Sequence, residues 1–228
     1  IIAYDRLLVD QPMDLYISFD NEAVGRLAAE AIVDAAPEGG TVAMIRGAST
    51  DHNTKQAGRG VRNELDAAGN FEIIFDVNAE EWRGEASYQM TLDALELAES
   101  EGKELDFIYC GNDALALEAI KALATHRLTG EVLVTGQDAD LTACQQIVEG
   151  TQLMTVYKPI ELLATTAAEA AYELVTTGEL PENVVLLEDG EIEVPAILLE
   201  PIPVTRENID EVIIEGGFHH REDVYRAH

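Results

Sequence analysis

A doubly wound, parallel α/β fold is what this sequence predicts, on three observations. Strand-like runs alternate with helical patterns of ten or more residues from Asp14 to Thr177, which implies a parallel sheet with helices on both faces. The runs stop at small or polar turns, as in Leu133-Val134-Thr135-Gly136-Gln137-Asp138. After Gly178 the alternation ends, so the remaining chain is not another strand–helix unit.

The elements follow in order. Residues 14–19 alternate as a strand does, and Asp20 caps a helix over residues 21–36. Val24, Leu27, Ala28, Ala31 and Ile32 give that helix one buried face. Pro37-Glu38-Gly39-Gly40 stops it, residues 41–45 are a strand, and a small polar turn from Gly47 to Asp51 leads into a helix closed by Gly69. The cycle repeats with a strand at 71–77, a helix at 83–100, a strand at 105–110 and a helix at 114–125. A strand at 131–135, a helix at 141–149 and a strand at 152–157 come next. Pro159 then opens a helix running to about residue 177. Beyond it, residues 184–187 and 194–199 are strand pieces around an Asp189-Gly190 turn, 200–204 is extended, and a charged tail starts at Thr205. These pieces suit a second lobe and the crossings that lead to it.

Right-handed crossovers place every strand-to-helix turn on one edge of such a sheet, where ligands bind. Asp51, Asn53, Asn112, Asp138 and Lys158 would gather there. Each alone is also explained by capping, because helix N-caps favour Asp and Asn. Together, with an aromatic near, they compose a polar-ligand cleft. Trp82 is the only tryptophan. It serves either as partial core or as a flat platform for the C–H face of a sugar.

Composition narrows the function. With 14 Lys+Arg against 44 Asp+Glu the net charge is −30, which repels nucleic-acid phosphates and anionic lipids. Such an excess of acid accompanies life in high salt, where ions screen the self-repulsion. No apolar run reaches the roughly 20 residues of a membrane span. Residues 1–4 read as the middle of a strand, so the natural protein is expected to begin before Ile1. Cys110 and Cys144 read as buried free thiols. The chain has no phosphate loop or dinucleotide fingerprint, hence no expected cofactor, and no nucleophile with a partnered base. His219-His220, with His228 beyond, makes a poor metal site for want of a carboxylate or thiol at ligand spacing.

Several stretches carry a resemblance: Ile2-Ala3-Tyr4-Asp5-Arg6-Leu7, Asp14-Leu15-Tyr16-Ile17-Ser18-Phe19-Asp20-Asn21-Glu22, Asp51-His52-Asn53, Asn112-Asp113-Ala114, Gly136-Gln137-Asp138-Ala139-Asp140-Leu141, Gly150-Thr151-Gln152, Met154-Thr155-Val156-Tyr157-Lys158-Pro159-Ile160, Asn208-Ile209-Asp210 and Gly217-Phe218-His219. In these the chain resembles the D-xylose-binding branch of the ribose/galactose-type periplasmic sugar-binding family of bacterial ABC transporters. That resemblance implies a periplasmic-binding-protein type I fold, with two α/β lobes that close on a sugar. It implies sugar contacts from Arg6, Asp51, Asn53, Asn112, Asp138 and Lys158, with Trp82 stacking on the pyranose. Family members carry a further N-terminal portion that completes the first lobe. Residues 21–157 here correspond to a complete lobe, and residues 1–20 and 158–228 to remnants of the N-terminal lobe, hinge crossings and a C-terminal tail.

The resemblance also implies an extracytoplasmic, periplasmic location, no enzymatic activity, and delivery of D-xylose to a membrane permease. A sensor of the same fold signalling to a receptor kinase is the rival. A sugar-responsive transcription regulator would need a basic helix-turn-helix segment, which the chain lacks. An enzyme ranks last, for want of reacting groups.

Overall fold

The computed structural model describes residues 1–8, 11–189 and 192–226. β1 (Ile2–Tyr4) and β2 (Leu15–Phe19) come first. Then α1 (Asn21–Ala35), β3 (Gly40–Arg46), α2 (His52–Ala68), β4 (Phe71–Asn78), α3 (Gly84–Ser100), β5 (Phe107–Cys110), α4 (Asp113–Thr125), β6 (Leu133–Thr135), α5 (Leu141–Glu149), β7 (Met154–Tyr157) and α6 (Ile160–Thr177) alternate. β8 (Val185–Asp189), β9 (Ile192–Leu199), β10 (Ile202–Thr205) and α7 (Arg221–Val224) follow. Gly190 of the expected turn and His228 of the tail lie outside the described residues.

Among the described residues the strands form two sheets. The larger has six strands in the order β10-β7-β6-β5-β3-β4, all parallel neighbours except the antiparallel β10–β7 pair. Helices cover both of its faces. α1 and α2 bury Val24, Ala28, Ile32, Val61 and Leu65 against Val42, Met44, Phe107 and Tyr109. α3 and α4 bury Ala94, Ala98, Leu115, Ala119 and Leu123 against Ala43, Ile45, Ile108 and Val134. Alternate residues of β3 and β5 thus face opposite helical layers, as the period of a strand requires. α1 and α2 touch backbone to backbone: a Cβ on Gly25 would fall 1.8 Å from the Ala57 carbonyl oxygen, and one on Gly60 2.0 Å from that of Glu22. The Gly60 inside a helical pattern is therefore a packing residue.

The smaller sheet runs β1-β2-β9-β8. α6 lies on one of its faces, with Leu163 and Ala170 against Leu15, Ile17, Phe19 and Ile197. The chain crosses between the two sheets at Asp20, at Lys158–Pro159 and at Glu200–Pro201.

One segment departs from expectation. Residues 200–204 read as a crossing, yet Ile202–Thr205 pairs with β7 and becomes an edge strand of the larger sheet. Pro203 is tolerated because an edge strand leaves alternate amides unpaired. The tail beyond it packs Ile209, Ile213 and Val224 on Cys144 and Ile147 of α5. Among the described residues no helix is long and apolar enough to cross a membrane.

Candidate ligand-binding site

The parallel strands of the larger sheet deliver their carboxyl ends to a cleft of about 360 Å³ facing the smaller sheet. Arg6, Asp51 and Asn53 (both at the start of α2), Trp82, Asn112, Asp138 and Lys158 all line it. Capping and cleft-lining prove compatible. Asp51 caps α2, its Oδ1 accepting from the Asn53 amide at 3.0 Å, and Asn112 caps α4, its Oδ1 accepting from the Leu115 amide at 3.0 Å. A cap at the start of a helix that follows a parallel strand stands at the sheet edge by construction.

Asp51 is the most connected of these groups. Its side chain is buried beside an exposed Arg6, whose guanidinium Nη1 donates to Asp51 Oδ2. The same oxygen accepts from the Trp82 indole Nε1 at 3.2 Å. Asn53 donates through Nδ2 to the Asp5 carbonyl at 3.3 Å, and its buried Oδ1 has no partner among the described residues. Across the cleft, Lys158 Nζ lies 3.1 Å from Asp138 Oδ1.

Trp82 sits in a short 3-10 turn, Glu80–Trp82, reached by backbone that L-residues adopt at a cost: φ is 57° at Glu81 and 55° at Trp82. The ring is partly buried against the α3–α4 core. It also lies on Gly47, where a Cβ would come within 2.1 Å of the indole. One part of the ring is thus packed in the core while the residue also lines the cleft.

The cleft includes groups that the sequence reading did not single out: Asp5, Asn21, Arg46, Tyr109 and Gln137. All but Asp5 and Asn21 end or follow a strand of the larger sheet, so strand-end position was the available signal. Arg46 is anchored by donation from Nε to Asp76 Oδ1 at 2.6 Å. Burial pushes the Tyr109 phenol above its ordinary range, keeping it a protonated donor. Burial also raises Asp140, with the Asp138 charge adding to the effect. Cys110 and Cys144 are free and buried, which raises both thiols.

Chemically, the cleft offers carboxylates, a guanidinium, an ammonium, side-chain amides and an indole. Hydroxyl-rich molecules need such a set, because each hydroxyl both donates and accepts.

Comparison with known proteins bears on the family and the fold. Residues 1–180 match the family model described as a periplasmic binding protein domain. The D-xylose-binding periplasmic protein of Haemophilus influenzae is 42% identical over 228 residues, covering 99% of this chain and 67% of that protein. The D-xylose-binding periplasmic protein of Escherichia coli is 40% identical, covering 98% of this chain and 67% of its own length. A carbohydrate transporter solute binding protein from Chloroflexus aurantiacus, solved in complex with D-glucose, superposes with a TM-score of 0.86 at 27% identity. The match covers 99% of this chain and 74% of that one.

Proposed function

Because the chain belongs to the periplasmic binding protein family, we propose that it binds a monosaccharide, D-xylose first, and delivers it to the membrane permease of an ABC transporter. The relatives of this family are solute-binding proteins and not enzymes. Binding here would take place in the periplasm, between the two lobes, and end in release of an unchanged sugar.

One observation carries the reading. A buried carboxylate, Asp51, is held by both a guanidinium and an indole N–H, opposite an Asp138–Lys158 pair, in a single polar cleft. A sugar hydroxyl between Asp51 and Asp138 can donate to either carboxylate, while Arg6, Lys158, Asn53 and Asn112 donate to its ring and hydroxyl oxygens. Trp82 supplies the apolar surface that the C–H face of a pyranose needs. A site fully paired in this way rejects a wrong epimer, because the misplaced hydroxyl leaves buried polar groups unsatisfied. Residues 21–157 act as the complete lobe in this reading. Residues 1–20 and 158–228 supply the second lobe, the crossings and the tail, with β10 returning to the larger sheet. The crossings at Asp20, Lys158–Pro159 and Glu200–Pro201 are where a hinge would bend.

The test is thermal unfolding and titration calorimetry with D-xylose and its epimers D-lyxose, D-ribose and L-arabinose. Sugar at roughly 100 times Kd stabilises a native-state binder by about 2.7 kcal/mol. A shift with D-xylose and much smaller shifts with its epimers is expected. A larger response to another sugar would replace the ligand, and no response to any would sink the reading.

A further inference from the structure

The turn that presents Asp138 is strained. Asp138 has φ 99° and the next residue, Ala139, φ 54°, successive left-handed positions that non-glycine residues hold only when their surroundings fix them. The fixing is visible amide by amide. The Asp138 N–H donates to the Val156 carbonyl at 2.8 Å. The Ala139 N–H donates to Thr155 Oγ1 at 3.2 Å, and the Asp140 N–H to Asp113 Oδ2 at 2.9 Å. Thr155 Oγ1 is in turn 2.9 Å from both carboxyl oxygens of Asp113. Gln152 Nε2 donates to Asp113 Oδ1 at 3.0 Å and to the Met154 carbonyl at 3.1 Å. From the other side, the Asp113 amide donates to the Gln137 carbonyl at 2.9 Å.

Asp113, Thr155 and Gln152 are all buried, and none of them lines the cleft. Space for the carboxylate is reserved by Gly136, where a Cβ would come within 2.1 Å of Asp113 Oδ1. We infer that Asp113 is a positioning residue for the binding site: directly through Asp140, and through the Thr155 hydroxyl to Ala139, it holds the left-handed turn that aims the Asp138 carboxylate at Lys158 and the ligand. The inference rests on the sugar-binding reading only for what Asp138 contacts.

The chemistry requires a carboxyl at this position. Each of its oxygens accepts from an N–H donor, Asp140 on one side and Gln152 on the other. An asparagine would turn its own NH2 toward one of them, whichever way it sat, and Gln152 cannot simply flip without losing its bond to Met154. Thr155 can donate to the carboxyl while accepting from Ala139. A valine there would strand both.

The experiment measures D-xylose Kd by calorimetry for the wild type, Asp113→Asn, Thr155→Val, Thr155→Ser and Asp138→Asn, and for Asp113→Asn placed on Asp138→Asn. It also measures amide hydrogen exchange of Ala139 and Asp140 without sugar. The expected result is affinity weakened roughly tenfold or more by Asp113→Asn and Thr155→Val, the scale of buried donors losing acceptors, with Thr155→Ser within about twofold of wild type. In the Asp138→Asn background, Asp113→Asn should add little, because the two act through one carboxylate. Exchange at Ala139 and Asp140 should accelerate in Asp113→Asn while the amides of β5 and β6 keep their protection. Additive losses, or unchanged exchange at Ala139 and Asp140, would overturn the inference. If the wild type binds none of the sugars tested, the functional reading fails by itself, and the exchange data still decide whether Asp113 holds the turn.

Discussion

Asp51 Oδ2 accepts a hydrogen bond of 3.2 Å from the Trp82 indole, joining residues 31 apart in sequence at the wall of the cleft. The same carboxyl caps α2 through its other oxygen, so one side chain has a stability role and a binding role that substitutions can separate. Asp51→Asn keeps the cap through its Oδ1 but removes the charge that Arg6 meets, and sets an NH2 against the indole N–H. The expected outcome is a roughly tenfold or larger rise in the Kd for D-xylose, with little change in unfolding free energy. Asp51→Ala should weaken binding similarly and also lose about 1 kcal/mol of stability as the cap goes. Calorimetry and urea unfolding of both variants test this; equal stabilities would show that the cap is idle.

Trp82 is the sole tryptophan, so its emission reports on the cleft without labelling. D-xylose should shift or quench it with the same Kd that calorimetry gives. Gly47→Ala should move the ring, since a Cβ there would sit 2.1 Å from the indole. The expected result is an altered emission spectrum before sugar is added and affinity weakened roughly tenfold, the usual scale for overpacking of 1–3 kcal/mol. An unaltered spectrum with unchanged affinity would mean that the ring is not seated on Gly47.

Much of this was legible in the sequence because parallel α/β units are locally encoded. Helix α1 over Asn21–Ala35, α5 over Leu141–Glu149 and β3 over Gly40–Arg46 were marked by caps, apolar periodicity and closing turns. The polar residues at strand ends followed from the topology, which converts scattered turns into one edge. What was not legible depends on contacts remote in sequence. β10 pairs with β7 across more than forty residues, and nothing in Ile202-Pro203-Val204 names its partner. Arg46 falls between the strand and the turn read from the sequence, and its anchor Asp76 lies on the adjacent strand. Asp113 falls just ahead of the helix expected at 114–125, and its partners Thr155 and Gln152 come from a different strand and turn.

The acid excess makes a prediction about salt. A net charge of −30 repels itself most in the folded state, where the charges are closest. Raising KCl from about 0.1 to 1 M shortens the Debye length from roughly 10 to 3 Å, so the thermal midpoint should climb with KCl at neutral pH. At pH near the sequence pI of about 4.2, where repulsion is small, the same salt step should do much less. Equal shifts at both pH values would point to a general salting effect instead of charge screening.

Asp113 predicts the pH dependence of stability. Burial, opposed by the bonds from Asp140, Gln152 and Thr155 and reinforced by the Asp138 charge, pushes its carboxyl up to about 8 from an ordinary 3.8. The folded protein then binds more protons at this site than the unfolded chain between about pH 4 and pH 8. Stability from this group is complete below the lower value and is lost as pH rises through the upper one, with a slope of up to about 1.4 kcal/mol per pH unit for one proton. Asp113→Asn removes the titration. Its lost hydrogen bonds lower stability by a similar amount at every pH, whereas the titration changes the slope. Every other ionisable group is present in both proteins, so the remaining pH dependence largely cancels in the difference. Urea unfolding at intervals from pH 5 to 8 should therefore give wild-type stability that falls toward that of the variant as pH rises. Parallel curves would mean that Asp113 is already ionised throughout, with its three donors outweighing its burial.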